Sequence, residues 1–560
     1  ETASMGKRAL PLAVLLLAAS GEAADGGDEA PLPPPAPLDF LEHELDFKAE
    51  RPPSALPPWV GSKAQCDRMA AECVAWAVCH GLMMRTAAEQ TDGADEPTTY
   101  VHAPFSLGPC ALPAECLREA YEIAPLFGKL VDEVGKDVPW LSATLLSTGE
   151  SDDFTKRLLK LCARVQSEGK TQKARLAILR SDYMLHTPVK DEPPQMLQVE
   201  LNTIASSFAG LSQRVADMHL HLAQRWPSLQ QHAWKEGGKP AKLSLLQALP
   251  PNPAADGIAE GLARGHALYG NPDAAILFVV QPHERNHVDQ EHVVQALWRT
   301  YGVRVLFRTL SQIGLEAKLV GKQRKLTLPA GEVSVVYFRA GYTPNDYVSN
   351  RQWDARALLE RSYAIKCPSI EYHLVGCKKV QQQLAQPGEL ERFLDPSESE
   401  RLRRVFAGLW SLSGPSDLAA CASDEEREAA LAMARACDTP ADFVMKPQRE
   451  GGGNNLFGAQ MKHALQTFSR EQRSGYILMQ RIFPEKQLSV MVRAGKLTVG
   501  PAISEIGVYS SLLVSKNDRV LLNKANGHLV RTKQEGVDEG GVAAGFAVLS
   551  SPLLTSPKWK

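Results

Sequence analysis

Three consecutive glycines, at positions 451–453, limit how this chain can fold more than any other feature. Glycine loses more conformational freedom on folding than any other residue, so a run of three is unfavourable inside a helix or a strand. The run comes shortly after an apolar stretch, residues 443–445, that is typical of the end of a buried strand. It is therefore predicted to form a loop that takes positive φ or comes very close to a ligand.

Charged residues accompany these glycines. Lys446 and Glu450 lie four residues apart, directly before the run. Backbone N–H groups without side chains in the way can surround phosphate oxygens, and Glu450 could hold a metal ion that neutralises the same phosphates. The stretch is not a Walker A loop, because no Gly-Lys-Ser/Thr follows. The alternative is a flexible glycine loop at the edge of a sheet.

The amino-acid composition favours a globular protein and argues against some classes of binding protein. A chain of 560 residues has room for two to four domains, and 44% hydrophobic with 22% charged residues is typical of globular proteins. A net charge of −2 without a basic stripe argues against nucleic-acid binding. The 10 cysteines form no CxxC pair, which favours free thiols in a reducing compartment over a zinc ribbon.

Residues 1–60 differ from the rest of the chain. Lys7 and Arg8 precede a short apolar run at 10–19, followed by small residues, which is the order of a signal or import peptide. The run is too short to span a membrane. A proline-rich stretch at 31–37 predicts a disordered linker. The alternative is an N-terminal extension without a targeting role.

Helices are predicted to follow. Residues 61–90 read as one amphipathic helix, because apolar residues recur at steps of three and four. The recurring residues are Cys66, Met69, Cys73, Trp76, Cys79 and Met83. A metal site of Cys73, Cys79 and His80 is the alternative, but this periodicity favours core packing. Residues 114–170 are predicted to continue as helices, and the charged segment 386–440 is also predicted to be helical.

Two strands are predicted at 176–179 and 198–202, and the segment 180–184 follows the first. On the second strand, Glu200 and Asn202 are two residues apart, so their side chains share one face of the sheet. A carboxylate and an amide oxygen are suitable Mg²⁺ ligands. By itself the pair also fits a solvated sheet face.

Residues 275–376 predict a separate α/β unit. Strands at 275–280, 303–307 and 333–338 and a helix at 290–299 alternate as in a parallel sheet. Residues 283–287 match the zinc-protease pattern HExxH, which requires a helix that places both histidines on one face. Pro282 follows the strand directly, so a strand-to-helix loop is predicted instead. Loops at the carboxyl ends of parallel strands bind ligands, which makes residues 284–286 and 339–342 candidate contacts.

Cations from distant parts of the chain complete the pattern. They are Arg180, Arg339, Lys378, Lys446, Arg531 and Lys533. Glu505 lies in apolar surroundings, and a buried carboxylate is predicted to have a metal or a cationic partner. No Ser-His-Asp or Cys-His arrangement is evident. This set suits phosphoryl transfer, in which positioning and charge neutralisation do most of the catalytic work.

Six stretches, in this order, resemble eukaryotic-type glutathione synthetases. They are RSDYM at 180–184, ELNTI at 200–204, ERN at 284–286, RAGY at 339–342, KPQREGGGNN at 446–455 and EGGVAAG at 539–545. The resemblance covers about residues 65–550. It implies an ATP-grasp α/β fold (α+β) with an inserted Rossmann-like substrate-binding domain. The implied parts are a leader and linker at 1–60, ATP-grasp parts at 61–274 and 377–560, and the insertion at 275–376.

The resemblance also implies an activity. The expected reaction joins γ-glutamylcysteine to glycine with ATP and Mg²⁺, through an acyl phosphate, in a homodimer without nucleic-acid or membrane partners. A sister ligase that uses β-alanine and a non-catalytic ATP-binding regulator are the alternatives. The enzyme is expected in the cytoplasm, and the leader makes a plastid or mitochondrion the alternative.

Site residues are carried over by matching positions. The implied Mg²⁺ ligands are Glu200, Asn202 and Glu450. The implied ATP contacts are Glu200, Lys378, Lys446, Pro447, Gln448, Arg449, Glu450, Gly451, Gly452, Gly453, Asn454, Asn455, Phe457, Met479, Gln480, Arg481, Ile482, Glu505, Lys533 and Glu539. The implied substrate contacts are Arg180, Ile204, Ala205, Ser206, Ser207, Glu284, Arg285, Asn286, Gln290, Arg339, Ala340, Gly341, Tyr342, Arg531, Val542 and Ala543. Catalysis is assigned to Lys446, Arg531 and Arg180.

The chain departs from the family pattern at several of these positions. Phe457 replaces a tyrosine, Gln480-Arg481 replaces an acidic-basic pair, Ala340 replaces an aspartate, and Glu539 also replaces an aspartate. The departure at Gln480-Arg481 puts one contact to adenine or ribose in doubt. None removes a predicted metal ligand or phosphate-binding lysine, so activity is expected.

Overall fold

A computed structural model describes residues 56–86, 99–187, 193–229, 231, 248–448, 454–538 and 540–555. Most of the predicted leader and linker lies outside the described residues. So do Arg449, Glu450, the three glycines and Glu539, which were predicted to contact ATP.

The helices are α1 Lys63–His80, α2 Ala114–Lys136, α3 Val138–Ser151, α4 Asp153–Glu168, α5 Ala209–Arg225, α6 Ala254–Tyr269, α7 His287–Tyr301, α8 Leu310–Glu316, α9 Asn350–Arg361, α10 Ile370–Val375, α11 Lys378–Leu384, α12 Pro396–Arg403, α13 Asp424–Asp438, α14 Gly458–Thr467 and α15 Arg470–Ser474. None of these helices is both long enough and apolar enough to cross a bilayer.

The strands are β1 Met83–Arg85, β2 Tyr100–His102, β3 Phe105–Ser106, β4 Cys110–Pro113, β5 Arg175–His186, β6 Gln195–Asn202, β7 Ala275–Val279, β8 Val305–Arg308, β9 Lys318–Val320, β10 Lys325–Leu328, β11 Gly331–Phe338, β12 Ile365–Cys367, β13 Leu409–Ser411, β14 Phe443–Pro447, β15 Leu456–Phe457, β16 Tyr476–Gln480, β17 Gln487–Arg493, β18 Lys496–Val514, β19 Val520–Gln534, β20 Ala547–Ser550 and β21 Pro552–Thr555.

A seven-stranded sheet lies at the centre, in the order β17-β3-β20-β19-β18-β5-β6. Its long strands β5, β18 and β19 pair antiparallel, with Glu505 opposite Arg531 and Gly507 opposite Asp182. One buried cluster includes residues of α2 and α4, and another includes residues of α5 and α6. Charged side chains that are distant in sequence therefore meet on adjacent strands.

Helix α6 packs unusually close to this sheet because it carries glycines at every fourth position. A side chain at Gly257 would lie 2.6 Å from Asn526, and one at Gly261 would lie 2.6 Å from Ser511. These positions fall on one face of the helix. The glycines let the helix backbone approach the strands directly, at a modest cost in helix propensity.

The strands predicted within residues 275–376 form a largely parallel sheet. Strands β8, β7, β11 and β12 pair in parallel, and β9 and β10 extend the sheet as an antiparallel hairpin. Helix α7 connects β7 to β8. Residues 53–560 form one unit, and the boundaries at 274 and 376 stay a prediction.

A smaller antiparallel sheet, β13-β16-β14-β15, stands opposite one end of the central sheet. Leu409, Val444 and Met479 from this sheet form a buried cluster with Leu197 of β6. Helices α13 and α14 contribute to a second cluster of the same sheet. The cleft described below opens between the two sheets.

Three secondary-structure predictions need correction. The helix predicted over 61–90 ends at His80, because Gly81 takes a left-handed conformation (φ 70°) and a strand begins at Met83. Arg180 to Met184 lie inside strand β5 rather than after it, because the backbone of this segment pairs with β18 on one side and β6 on the other. The segment 386–440, predicted to be helical, contains strand β13, which pairs with β16.

Candidate active site

A cleft of about 460 Å³ separates the two antiparallel sheets. Glu200, Lys378, Lys446, Glu505, Arg531 and Lys533 line it, together with Asn454, Asn455, Phe457 and residues 479–482. These positions belong to separate segments of the chain. The predicted convergence of Glu200 and Lys446 on one cavity is therefore observed, while Glu450 lies outside the described residues.

Glu200 is surrounded by cations. The Nζ atom of Lys378 lies 3.4 Å from its Oε2 atom, and Lys446 donates to the carbonyl oxygen of neighbouring Val199 at 3.0 Å. Burial would raise the pKa of Glu200, but Lys378, Lys446, Arg531 and Arg180 outweigh it and lower this pKa to about 2. Glu200 is therefore a carboxylate throughout the neutral range.

Asp182, which the sequence analysis did not select, is the centre of the adjoining polar network. Its carboxylate accepts two hydrogen bonds from Arg180, at 2.7 and 2.8 Å, and one from Arg531 at 3.2 Å. Asn202 donates to the same carboxylate at 3.0 Å. Gly507 provides the space, because a side chain there would lie 2.4 Å from Asp182 Oδ1.

Glu505 has a cationic partner, Arg531, as predicted for a carboxylate in apolar surroundings. It is opposite Arg531 on the neighbouring strand and forms an ion pair with it. Burial and the nearby carboxylates of Asp182 and Glu200 raise the pKa of Glu505, although Arg531 opposes this effect. Glu505 and Glu200 thus differ in proton affinity within one cleft.

The opposite end of the cleft is apolar. Val444, Met479 and Ile482 are buried there, and Phe457 lies beside them. Arg481 lies over the rings of Phe457 and Phe483, at 5.4 and 5.9 Å from their centroids. This end suits a flat, apolar group, whereas the cationic end suits phosphates.

Asp538 connects two of the predicted contacts at this apolar end. Its carboxylate pairs with Arg481 at 2.5 Å, and its carbonyl oxygen accepts a hydrogen bond from Lys533 at 2.6 Å. The loop at 535–538 is thereby held against residue 481. Sequence reasoning missed Asp538, because its partner lies 57 residues away.

A second group of predicted residues adjoins the first through a loop at 204–207. Arg339 donates to the carbonyl oxygen of Ser206 and to the hydroxyl of Ser207, both at 2.7 Å. Arg180 donates to the carbonyl oxygen of Ser207 at 3.1 Å. The two arginines therefore hold the same loop and join this second group to the Asp182 network.

Asp289 fixes the chain just after this loop. Its carboxylate accepts hydrogen bonds from the backbone of Phe208 at 2.8 Å and Gly210 at 2.7 Å, and it lies 3.7 Å from Arg339. Sequence reasoning missed Asp289, although it lies in the first turn of a helix next to the selected residues 284–286.

Several polar atoms in the second group are buried without a hydrogen bond to the described part of the chain. They are Ser206 Oγ, Asn286 Oδ1, Gln290 Oε1 and Arg339 Nε. Buried polar atoms are nearly always paired in folded proteins, so a cluster of unpaired ones indicates a place for a polar ligand or water. Glu284 is already engaged, by Gln290 at 3.0 Å and by the backbone of Asn286 at 2.8 Å.

The remaining predicted residues lie around these two groups. Ala340 and Val542 are buried, and Ile204 and Ala205 belong to the loop held by the arginines. Asp346, another residue that was missed, accepts hydrogen bonds from the backbone of Gly341 at 2.9 Å and Tyr342 at 3.1 Å. Arg285 donates to the carbonyl oxygen of Ala543 at 2.8 Å.

Two residues of the predicted ATP-binding stretch lie outside the lining of the main cleft. Pro447 ends strand β14. Gln448 is buried and accepts a hydrogen bond from the backbone of Lys379 at 2.8 Å. Gln448 therefore holds the start of α11, the helix that carries Lys378.

The HExxH match does not form a zinc-protease site. His283 lies in the loop after β7 with φ 53°, and His287 is the first residue of α7, where it pairs with Glu291 at 3.3 Å. The two histidines are thus not on one helix, and the predicted strand-to-helix loop is confirmed. Across the described ranges, no group of three His, Cys, Asp or Glu side chains is arranged to hold a metal ion.

Comparisons with known proteins agree with this geometry. The family model for the eukaryotic glutathione synthase ATP-binding domain matches residues 63–554. Glutathione synthetase from Homo sapiens is 40% identical over 494 residues, which cover 88% of this chain and 97% of the human protein. The chloroplastic glutathione synthetase from Solanum lycopersicum is 41% identical over 492 residues, 87% of this chain and 84% of the tomato protein.

A solved structure shares the fold. The glutathione synthetase-like effector from Globodera pallida, in its apo form, superposes with a TM-score of 0.68 over 90% of this chain and 100% of its own, at 20% identity. The sequence matches confirm the family that the motifs predicted, and with it the ATP-grasp α/β fold. The chain belongs to the eukaryotic glutathione synthases, the ATP-dependent ligases that make glutathione.

Proposed function

We propose that this chain joins γ-glutamylcysteine to glycine with the two groups of residues described above, the cleft for Mg²⁺-ATP and the loop at 204–207 for the dipeptide. One observation carries the proposal. Four cations from four segments, Lys378, Lys446, Arg531 and Arg180, keep the half-buried carboxylate of Glu200 ionised. Such a concentration of charge suits a triphosphate and its metal ion, because catalysis of phosphoryl transfer depends on positioning and electrostatic stabilisation.

The donor set fits Mg²⁺, which prefers hard oxygen ligands. Glu200 is ionised, and the amide nitrogen of Asn202 donates to Asp182, so the amide oxygen of Asn202 is the end offered to a cation. Glu200 and Asn202, with Glu450 from the glycine-rich stretch, would hold the ion. When bound, Mg²⁺ neutralises phosphate charge and orients the transferring group.

The nucleotide is proposed to follow the polarity of the cleft. Its base occupies the apolar end formed by Val444, Phe457 and residues 479–482. Lys378, Lys446 and Lys533 contact the phosphates, and residues 449–455 cover them. Glu505 and Glu539 complete the set of nucleotide contacts.

The dipeptide is proposed to occupy the second group of residues. Arg180 and Arg339 bring two guanidinium charges to this loop, which suits recognition of a carboxylate, although the parallel donors of Arg180 are already bound to Asp182. The unpaired polar atoms of Ser206, Asn286, Gln290 and Arg339 supply further contacts. Residues 284–286, 340–342 and 542–543 enclose the substrate, and Arg531 lies between the dipeptide and the phosphates.

The reaction needs no protein nucleophile. An oxygen of the cysteinyl carboxylate attacks the γ-phosphorus of ATP, ADP leaves, and an acyl phosphate forms. The amine of glycine then attacks the acyl carbon, phosphate leaves, and the amine loses a proton as the amide forms. Lys446, Arg531 and Arg180 offset the negative charge of the phosphoryl and carboxylate groups during both steps.

Assembly and location are further parts of the proposal. The protein is proposed to be a homodimer, which light scattering after size-exclusion chromatography would test. It is proposed to act in the cytoplasm, with a plastid or mitochondrion as the alternative, since the tomato relative is named chloroplastic. N-terminal sequencing of the mature protein from cells tests this assignment.

The activity is tested by measuring ADP release and the peptide product by mass spectrometry. With ATP, Mg²⁺ and γ-glutamylcysteine, glycine should give a product at least tenfold faster than β-alanine. Faster product with β-alanine would make the protein the sister ligase. Binding of Mg²⁺-ATP without ADP release, with all three substrates present, would make it a regulator.

A further inference from the structure

The loop at 204–207 has a backbone conformation that side chains ordinarily avoid. Ala205 has φ 51°, and Phe208, which directly follows the loop, has φ 73°. Both values lie in the left-handed region, where a side chain crowds the backbone and glycine is favoured. Strained residues of this kind persist only where the surrounding structure holds them, and they cluster at ligand-binding and catalytic sites. The contacts to this loop therefore decide whether it keeps its shape.

Tyr509 makes one of these contacts. Its hydroxyl donates to the carbonyl oxygen of Ser207 at 2.5 Å. Arg180 donates to the same oxygen at 3.1 Å. A carbonyl oxygen has two lone pairs, so the two donors can bind to it together. Two side chains of the central sheet thus hold a single carbonyl group of the loop.

The strand register explains why these two side chains meet. Tyr509 lies on β18, directly opposite Arg180 on β5. The guanidinium carbon of Arg180 lies 5.9 Å from the centre of the tyrosine ring. A cation at this distance from an aromatic ring is attracted to it. Tyr509 therefore contacts both the loop and an arginine that holds the loop.

The position of Tyr509 separates it from the cleft itself. Its side chain is fully buried, and it is not among the residues that line the cleft. It belongs to an apolar cluster that also contains Phe208, the second residue with positive φ. Any effect of Tyr509 on ligation must therefore pass through the loop and Arg180.

We infer that Tyr509 is a positioning residue for γ-glutamylcysteine, because its hydroxyl holds the loop at 204–207 in the left-handed conformation that receives the dipeptide. The inference rests on the proposed function, in which this loop and Arg180 bind the dipeptide. Arg339 and Asp289 hold the loop and its end from the side of the parallel sheet, whereas Tyr509 holds it from the central sheet. Without the hydroxyl, the loop stays attached but its backbone relaxes towards an unstrained shape.

Tyr509→Phe tests the inference, because it removes the hydroxyl and keeps the ring beside Arg180. The carbonyl oxygen of Ser207 keeps its bond to Arg180, so no buried acceptor is left unpaired and the variant should fold. The KM for γ-glutamylcysteine should rise about fivefold, because one buried hydrogen bond is lost, while the KM for ATP and kcat change by less than about twofold. Isothermal titration with γ-glutamylcysteine should show the same loss without turnover.

The matched control is Tyr183→Phe, the same change at another fully buried tyrosine of the central sheet. Consecutive residues of a strand face opposite sides of the sheet, so Tyr183 lies on the side away from Asp182 and belongs to a different apolar cluster from Tyr509. This control should leave the KM for γ-glutamylcysteine unchanged.

Ala205→Gly serves as a rescue, since glycine adopts positive φ without strain. Added to Tyr509→Phe, it should lower the raised KM for γ-glutamylcysteine about threefold, because the loop then needs less support.

Three results would overturn the inference. They are an unchanged KM for γ-glutamylcysteine in Tyr509→Phe, an equal rise in Tyr183→Phe, and a raised KM that Ala205→Gly does not lower. A natural protein that forms no product from γ-glutamylcysteine would instead overturn the proposed function, so the two failures are distinguishable.

Discussion

The amide nitrogen of Asn202 lies 3.0 Å from Oδ2 of Asp182, on the neighbouring strand of the central sheet. The same carboxylate receives Arg180 and Arg531. One buried negative charge thus orients a proposed metal ligand and two arginines of the proposed dipeptide and phosphate sites. Asp182 acts through these three residues as a positioning residue, although it was not selected from the sequence.

Replacing Asp182 by Asn keeps the shape of the side chain and removes its charge. We expect the free energy of unfolding to fall by about 3 kcal/mol, because the buried Arg180 and the partly buried Arg531 lose a charged partner. The kcat/KM for γ-glutamylcysteine should fall about a hundredfold, measured by ADP release. Asp273→Asn, at an exposed site, is the control and should change neither quantity. A lower free energy of unfolding with an unchanged kcat/KM for γ-glutamylcysteine would show that Asp182 has only a structural role.

Replacing Glu200 by Gln tests the proposed metal site. We expect kcat to fall by about a hundredfold to a thousandfold, because a charged ligand close to the transferring phosphate is lost. Mn²⁺ titration in the presence of a non-hydrolysable ATP analogue, followed by electron paramagnetic resonance, should show weaker binding. Glu428→Gln, at an exposed position of α13, is the matched control. Equal Mn²⁺ affinity in the two variants would contradict the metal assignment.

The lowered pKa of Glu200 leads to a prediction about how stability and activity depend on pH. Its pKa of about 2 lies below the ordinary value of 4.5, so it stabilises the fold above pH 4.5, and this contribution is lost as the pH falls towards 2. Above pH 5, the rate of Glu200→Gln should therefore depend on pH in the same way as the rate of the natural protein, although it is lower at every pH. A displaced acid limb in the residual activity would contradict the lowered pKa.

The ion pair of Arg481 and Asp538 should hold the loop at 535–538 over the nucleotide. The side chains of Arg481 and Asp538 are 31% and 43% exposed, so the coupling free energy should be below about 1 kcal/mol. Asp538→Asn should raise KM for ATP about threefold with little change in kcat, and 0.5 M salt should reduce the difference. A double-mutant cycle with Arg481→Gln measures the coupling. Additive effects of the two changes would show that the pair does not hold the loop.

The sequence allowed the family and the loop motifs to be predicted because these signals are local. The glycine run at 451–453 lies outside the described residues, so its role as a ligand loop stays a prediction. The alternation of Glu200 and Asn202 placed both side chains on one face of β6. The pairing of Glu505 with Arg531 was not predictable, because it depends on the register between two long strands. Asp182 was missed because its partner Arg531 is distant in sequence. A single aspartate inside an apolar strand has no neighbouring residues that indicate its role.

The hydrogen bond from the backbone N–H of Gly408 to the side-chain oxygen of Gln480, at 3.0 Å, could not be predicted either. It depends on Gly408, which precedes a short strand in a segment that was predicted to be helical. The zinc-protease pattern is the opposite case. Residues 283–287 match HExxH at every position, but they do not form the single helix that the pattern requires. There, Pro282 directly after a strand was a better guide than the motif.

The buried lysine beside Lys378 gives the last prediction. Lys379 donates to Gln382 at 2.6 Å and to Ser411 at 2.8 Å, which ties helix α11 to strand β13. Burial lowers the pKa of Lys379 to about 8, although Glu425 partly opposes this effect. Between pH 8 and 10.5 the unfolded chain therefore binds a proton that the native protein releases, so this residue makes the free energy of unfolding rise with pH.

Lys379→Met removes this titration. The difference in the free energy of unfolding, natural protein minus variant, should rise by about 1 kcal/mol between pH 7.5 and pH 9, measured by urea unfolding. Lys322→Met, in an exposed turn, should show no such change between the two pH values. A difference that stays constant would mean that Lys379 keeps an ordinary pKa, and that its hydrogen bonds to Gln382 and Ser411 offset the cost of burying its charge.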